Sequence, residues 1–383
     1  MSAPNSLPTN IPAAVVASTL TQPERFASAY SVLQRGIDEH AFPGAVFGVY
    51  LNSQVIALDG VGRFTYDPTS PPVGPATIYD LASVTKVVAT TAAAMVLYAR
   101  GKLDLEQPLG DILPGFVIGS ESPRLRCDVT LRTLLAHSSG LPAYARLFEI
   151  STTPTDLLAN CLRMPLEAPP GTCVEYSDIG FILLGKAIER LAGEPLDVFC
   201  RREIFAPLEM TATRYHPPST WHGAIPPTVN DTSFRHRIIQ GEVHDENCFV
   251  LGGVSGHAGL FSNALDVLKF ASRFLANGHT PEGKQLFDAK TIQLFASRQN
   301  PQPESSRALG WDTPSGESSS GHFFSPRSIG HLGYTGTSLW IDLDRNLAVT
   351  LLTNRTWPDR ASQAIRAIRP VFHDAVMTAL ELT

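Results

Sequence analysis

"LASVTKVVATTAAAMVLYARG", Leu81 to Gly101, puts a serine and a lysine one helical turn apart at the head of a long run almost free of charge. Lysine is scarce in this chain, six residues against twenty-four arginines, so one placed where the chain is about to be buried asks for a reason. On a helix, residues i and i+3 share a face, which sets the hydroxyl of Ser83 beside the amine of Lys86. In the first turn, free backbone N–H groups and the positive helix end also face the serine oxygen. A serine hydroxyl is a weak nucleophile until a base takes its proton. A free lysine, with a pKa of about 10.4, is a poor base near neutrality, but burial disfavours its charged form. The pair therefore reads as nucleophile and proton acceptor. Chance supplies roughly 0.4 such SxxK matches in a chain like this, so the pair gains weight only from its company.

The surroundings are those of a large globular protein. Of 383 residues, 43% are hydrophobic and 17% charged, enough apolar surface for a substantial core. A net charge of −6 with no basic block argues against nucleic acid and anionic membrane surfaces as partners. Cys127, Cys161, Cys173, Cys200 and Cys248 are odd in number and never in a CxxC, which fits free thiols in a reducing compartment. Residues 1–20, rich in Pro, Ser, Thr and Asn, read as a flexible arm without the basic start of a secretory signal. No run of eighteen apolar residues is found, so the expectation is a cytoplasmic protein that does not enter a membrane. No GxSxG elbow, GxGxxG or P-loop occurs, and no cofactor is implied.

"TQPERFASAYSVLQRGIDEHAFPG" reads as an amphipathic helix with Thr21 as N-cap, and "GAVFGVYLNSQVIALDGVG" as a hairpin about a polar turn. The middle is helical with long loops. Strand signals return in "TSLWIDLD" and "NLAVTLLTN" about a turn at Asp344-Arg345, and a last helix is kinked or broken at Pro370. The economical architecture is α+β: an antiparallel sheet drawn from both chain ends and flanked by helices, over 21–75 and 290–383. A mainly helical domain, 76–289, is inserted into it.

Two further boxes follow Ser83 and Lys86 in order: "VEYSDIG", with Tyr176 and Asp178, and "IGHLGYTGTSLWID", with His331, Gly333 and Gly336. Together with "TLRTLLAHSSGLP", "APLEMTATRY" and "GHAGLFSNALDVLKF", this sequence of SxxK, Tyr-x-(Asn or Asp) and (Lys or His)-x-Gly resembles the serine β-lactamase superfamily over roughly residues 25–380. The resemblance is to the branch holding class C β-lactamases, D-Ala-D-Ala carboxypeptidases and family VIII carboxylesterases, and it implies a β-lactamase/transpeptidase-like fold. It makes Ser83 the acylated nucleophile and Tyr176 a shared acid/base whose phenolate nearby cations favour. Asp178 would hold Lys86; if ionised it keeps Lys86 charged and moves the base role toward Tyr176. The amides of Ser83 and of Tyr334, on the edge strand after Gly333, would form the oxyanion hole.

The third box departs from the usual Lys-Thr-Gly or His-Thr-Gly. Leu332 cannot donate a hydrogen bond and His331 is mostly neutral at pH 7, which weakens the case for a carboxylate-bearing substrate; Thr335 or Thr337 could supply the lost hydroxyl. The expectation is a serine hydrolase working through an acyl-enzyme, foremost a carboxylesterase on short-chain esters with weak β-lactam turnover. A D-Ala-D-Ala carboxypeptidase or β-lactamase is the alternative, and a non-catalytic penicillin-binding-like sensor or scaffold the rival from another class. His244, Asp245, Glu246 and His257 match no metal spacing and are expected to border the cleft. His137 is expected to be a hydrogen-bonded helix-end residue.

Overall fold

The computed structural model describes residues 20–118, 120–299 and 305–383. The expected arm over 1–20 lies, except for Leu20, outside them. Among the described residues ten strands form: β1 Gly44–Leu51, β2 Gln54–Gly62, β3 Tyr79–Asp80, β4 Arg214–Tyr215, β5 Val229–Asp231, β6 Arg237–Ile239, β7 Leu260–Ser262, β8 Ile329–Leu332, β9 Ser338–Asp342 and β10 Leu347–Thr353. β2, β1, β10, β9 and β8 make an antiparallel sheet in that order; the paired strands β1 and β10 come from opposite ends of the chain. The β1–β2 turn uses Asn52 and Ser53, both at positive φ, which suits the twist of a tight hairpin.

β1, β9 and β10 are buried on both faces and largely apolar. Ala45, Phe47 and Val49 of β1, with Trp340 of β9 and Leu347, Val349 and Leu351 of β10, pack against the two terminal helices. The alternate residues Val46, Tyr50, Leu339, Ile341, Ala348 and Leu352 belong to the larger core shared with the helical block. Helix Ala264–Leu275 lies on this second face, close enough that a side chain at Gly48 would strike Leu268.

Two helix boundaries differ from the sequence reading. The first helix is Ala27–Asp38, and Thr21 does not cap it; residues 23–26 form turns instead. The last helix, Ile365–Ala379, runs unbroken through Pro370. Proline forfeits a single N–H bond there, while Ile368, Phe372, Val376 and Met377 anchor the helix on the sheet. The helical run Ala82–Ala99 is long and apolar enough to cross a membrane by length and composition, contrary to the expectation, yet 83% of it is buried inside the fold. It is the core helix, and its charge-poor sequence reflects burial on all sides.

Candidate active site

Ser83 lies in the 3₁₀ turn Ala82–Val84, directly after β3. The buried carboxyl of Asp80 holds this entry, accepting the N–H of Ala82 at 2.8 Å and that of His244 at 2.6 Å. Ala82 has φ +46°, a left-handed conformation costly for a residue with a Cβ, immediately before the candidate nucleophile. The helix continues as a π-helical stretch, Lys86–Thr91. Such widened turns cluster at functional sites.

Lys86 is fully buried, and its ammonium donates to three acceptors: Asp178 Oδ1 at 2.6 Å, Ser83 Oγ at 3.1 Å and the His257 carbonyl at 3.1 Å. Its ring neighbours are Tyr176, 4.8 Å from Nζ to centroid, and Phe181. Burial alone drives Lys86 toward the neutral amine, but the Asp178 carboxylate and Tyr176 outweigh it, and its pKa ends above the usual value. The expected burial-lowered amine is therefore corrected: Lys86 rests as an ammonium because its counter-ion is in contact. Tyr176 is corrected too. Burial raises its phenol, and the lowering pull of Lys86 and of a hydrogen bond with Ser83 does not overcome it. At rest the pair holds both protons.

The second box is pinned from below. Ser177 caps helix Asp178–Ala192, its Oγ accepting the Gly180 N–H at 2.9 Å and donating to the Pro142 carbonyl at 2.7 Å. His137 accepts the Ser177 N–H on Nδ1 at 3.0 Å, and its ring lies 4.6 Å from that of Tyr176. It stands after the helix Leu131–Leu135, as expected, and burial keeps it neutral.

The third box closes the edge strand rather than entering it. His331 and Leu332 end β8, and Tyr334 sits in the turn that follows. Thr335 and Thr337 are fully buried and donate to the carbonyls of Asp80, at 2.8 Å, and Leu81, at 2.9 Å. Neither hydroxyl is available to a substrate, so the expected substitution for the missing threonine fails. They tie the Tyr334 turn to the entry of the Ser83 helix. Gly333 must be glycine here, since a Cβ would lie 1.9 Å from Thr337 Oγ1. Arg369 donates to the Gly333 carbonyl at 2.8 Å; in a trans peptide the Tyr334 N–H then points the opposite way. That amide has no hydrogen-bond partner among the described residues, and Ser83 N–H belongs to the first helical turn, where donors are unpaired. The two can converge on one oxyanion.

Two cavities meet at Ser83, Tyr176 and Tyr334. The larger, about 660 Å³, is walled by Arg307, Arg355, Arg366 and Arg369, with Asp312 the one carboxylate, beside His331 and Leu332. Arg307 faces Asp312 at 3.9 Å. The other three have no carboxylate partner among the described residues. Arg355 donates to the carbonyls of Tyr334 and Ser362, and its guanidinium lies 4.2 Å from the Tyr334 ring centroid. Burial and the neighbouring guanidinium groups push Arg369 down to about 9. Burial, with Lys86 and Arg307 nearby, keeps His331 neutral. The reading of the third box missed this cleft, because its cations stand outside the box: Arg307 before β8, Arg355 in the turn after β10, and Arg366 and Arg369 on the last helix.

The smaller cavity, about 350 Å³, includes Asp178, His244, Asp245, Glu246 and His257. The His257 ring is held on both nitrogens, by Ser255 Oγ and Asp245 Oδ1, each at 2.9 Å. It has no lone pair left for a metal, and no group of three candidate ligands converges among the described residues. The loop borders the cleft by supplying the His257 carbonyl to Lys86.

The model of the beta-lactamase family matches residues 30–371. An N-acetylmuramyl-L-alanine amidase of Bacillus subtilis (strain 168) is 34% identical over 350 residues, 82% of this chain and 77% of that protein. An Escherichia coli (strain K12) protein, provisionally named a D-alanyl-D-alanine carboxypeptidase, is 33% identical over 312 residues, 73% of this chain and 69% of its own. Among solved structures, EstCE1, described as a hydrolase with promiscuous acyltransferase activity, superposes with a TM-score of 0.73 at 22% identity, covering 92% of this chain and 98% of that one. At that identity the likeness speaks to the fold.

Proposed function

Since the chain belongs to the beta-lactamase family of serine hydrolases, we propose that it cleaves an ester or amide whose substrate carries a carboxylate, through an acyl-enzyme on Ser83. The observation that carries this reading is the arginine cleft opening on Ser83, with Arg355, Arg366 and Arg369 lacking anionic partners among the described residues. A buried guanidinium without a counter-ion is costly, and a substrate carboxylate relieves it. The sequence argument against a carboxylate-bearing substrate rested on Leu332 and His331 alone and is outweighed. The amidase and carboxypeptidase names of the relatives favour the same direction.

In the reactive form the Lys86–Tyr176 pair has lost one proton. Ser83 Oγ attacks the scissile carbonyl carbon while its proton passes to the pair. The amides of Ser83 and Tyr334 take the developing oxyanion. As the tetrahedral intermediate collapses, the leaving oxygen or nitrogen receives that proton from Tyr176. Water then attacks the acyl-enzyme, giving its proton to the same pair, and Ser83 is restored.

A short-chain carboxylesterase for uncharged esters is the second reading, favoured by Leu332 and the neutral imidazole of His331 on the wall of the same cleft. Two series separate the readings: p-nitrophenyl esters with and without an acyl carboxylate, and a D-Ala-D-Ala peptide beside its C-terminal amide. Carboxylate-bearing members with kcat/KM at least tenfold above their neutral partners support the first. The opposite order supports the esterase. Ser83→Ala should abolish turnover, by roughly 10⁴-fold or more, and remove the mass shift that a fluorophosphonate leaves on wild type.

A further inference from the structure

Asp80 stands three residues before Ser83 and touches no reacting atom, yet the pieces of the site meet on it. It is 2% exposed, and both carboxylate oxygens accept main-chain N–H groups, Oδ1 that of Ala82 at 2.8 Å and Oδ2 that of His244 at 2.6 Å. These bonds offset part of the cost of burying a charge, and at neutral pH the group is a carboxylate. Its own main-chain carbonyl accepts the Thr335 hydroxyl at 2.8 Å. The bond to Ala82 closes an Asx turn, which holds a backbone at φ +46° that a residue with a Cβ avoids. The peptide between Leu81 and Ala82 is thereby pinned on both edges. Its N–H is held by Asp80 and its C=O by Thr337 Oγ1, at 2.9 Å, from the segment that carries Tyr334. The next peptide bears the Ser83 N–H.

We infer that Asp80 is the positioning residue of the oxyanion hole: its carboxylate fixes the left-handed Ala82, and with it the angle at which the Ser83 amide meets the Tyr334 amide across one oxygen. The inference rests on the serine-hydrolase reading above. It gives the strained backbone a use in the step where charge develops, because donors aimed beforehand need no rearrangement there. The same residue joins both halves of the hole, since Thr335 ties the Tyr334 turn to the Asp80 carbonyl while the Asp80 side chain sets the turn before Ser83. A residue acting in this way contributes to the transition state and little to ground-state binding, where the substrate carbonyl carries no full charge.

Fluorophosphonate labelling, run to completion, counts competent Ser83. Rates per labelled site are then taken for the best substrate of the two series above and for its thiono analogue, with sulfur in place of the scissile carbonyl oxygen. Amides aimed for oxygen hold the larger, weakly accepting sulfur poorly, so wild type should prefer oxygen once rates are normalised to hydroxide. Asp80→Ala should lower kcat per site by roughly 10²-fold with KM within about threefold, and cut the oxygen preference by about tenfold or more. Asp80→Asn, which keeps an oxygen for the Ala82 N–H, should regain about tenfold of the lost kcat. A wild type that takes no label or turns nothing over overturns the hydrolase reading and this one with it. With an active wild type, this inference alone falls if Asp80→Ala merely lowers the number of labelled sites, if its oxygen preference is unchanged, or if the Asn variant is as slow as the Ala. Should Asp80→Ala yield no labelled protein, Asp80→Ala/Ala82→Gly replaces it, since glycine takes φ +46° without strain. A double variant at wild-type kcat, or again without labelled sites, overturns the inference.

Discussion

Two buried cations flank Ser83 and meet burial in opposite ways. Lys86 has a carboxylate at 2.6 Å and two further acceptors, and its pKa is raised. Arg369 has, among the described residues, only the carbonyls of Gly333 and Thr337, and burial with other guanidinium groups nearby pushes its pKa down. A charge completed from within belongs to the machinery. A charge left incomplete is half of a recognition event whose other half is the ligand. Stability and function therefore pull apart at the second site and together at the first.

The sharpest way to break that comparison is to replace each cation by methionine. Lys86→Met should lower kcat/KM by roughly 10³–10⁴-fold and, by stranding Asp178, destabilise the fold by about 3 kcal/mol in urea unfolding. Arg369→Met should change stability by no more than about 1 kcal/mol. For carboxylate substrates it should raise KM by roughly tenfold or more and also lower kcat, since it releases the Gly333 carbonyl and with it the aim of the Tyr334 amide. Equal stability losses in the two variants would end the distinction.

The pH profiles sharpen it. Lys86 and Tyr176 both sit above their ordinary values, so the singly deprotonated pair grows as pH rises. For a neutral ester, kcat/KM should climb roughly tenfold per unit from pH 6 to 9. No inflection should mark the histidine range, because His137 and His331 stay neutral there. Burial lowers the Arg369 guanidinium from its usual value, yet a guanidinium keeps its proton throughout this range. The profile for a carboxylate substrate should therefore run parallel to the neutral one; divergence between about pH 6 and 9 would mean that a titrating group rather than the arginines reads the carboxylate. Smaller effects lie at the rim and the clamp. Arg366, exposed and unpaired among the described residues, should on change to Ala reduce the carboxylate preference by about three- to tenfold, an effect that salt screens. Thr337→Val removes one buried hydrogen bond and should cost about 1 kcal/mol and a several-fold loss in kcat.

The hairpins were legible because alternate residues face two packed layers, and the helix at Asp178 because Phe181, Leu184, Ile188 and Leu191 recur at helical spacing. The turn at Tyr334 was misread as strand. Its conformation follows from Thr335 and Thr337 reaching Asp80 and Leu81, some 255 residues away in the chain, and nothing local announces such a bond. Sequence alone set Ser83 beside Lys86, because an i, i+3 spacing on a helix start is local, and the family resemblance added Tyr176 and Asp178 to them. The charge state of Lys86 and the arginine cleft were decided only by tertiary structure. Each depends on which distant groups arrive within hydrogen-bonding range and on how completely water is excluded, and both are properties of the packed chain.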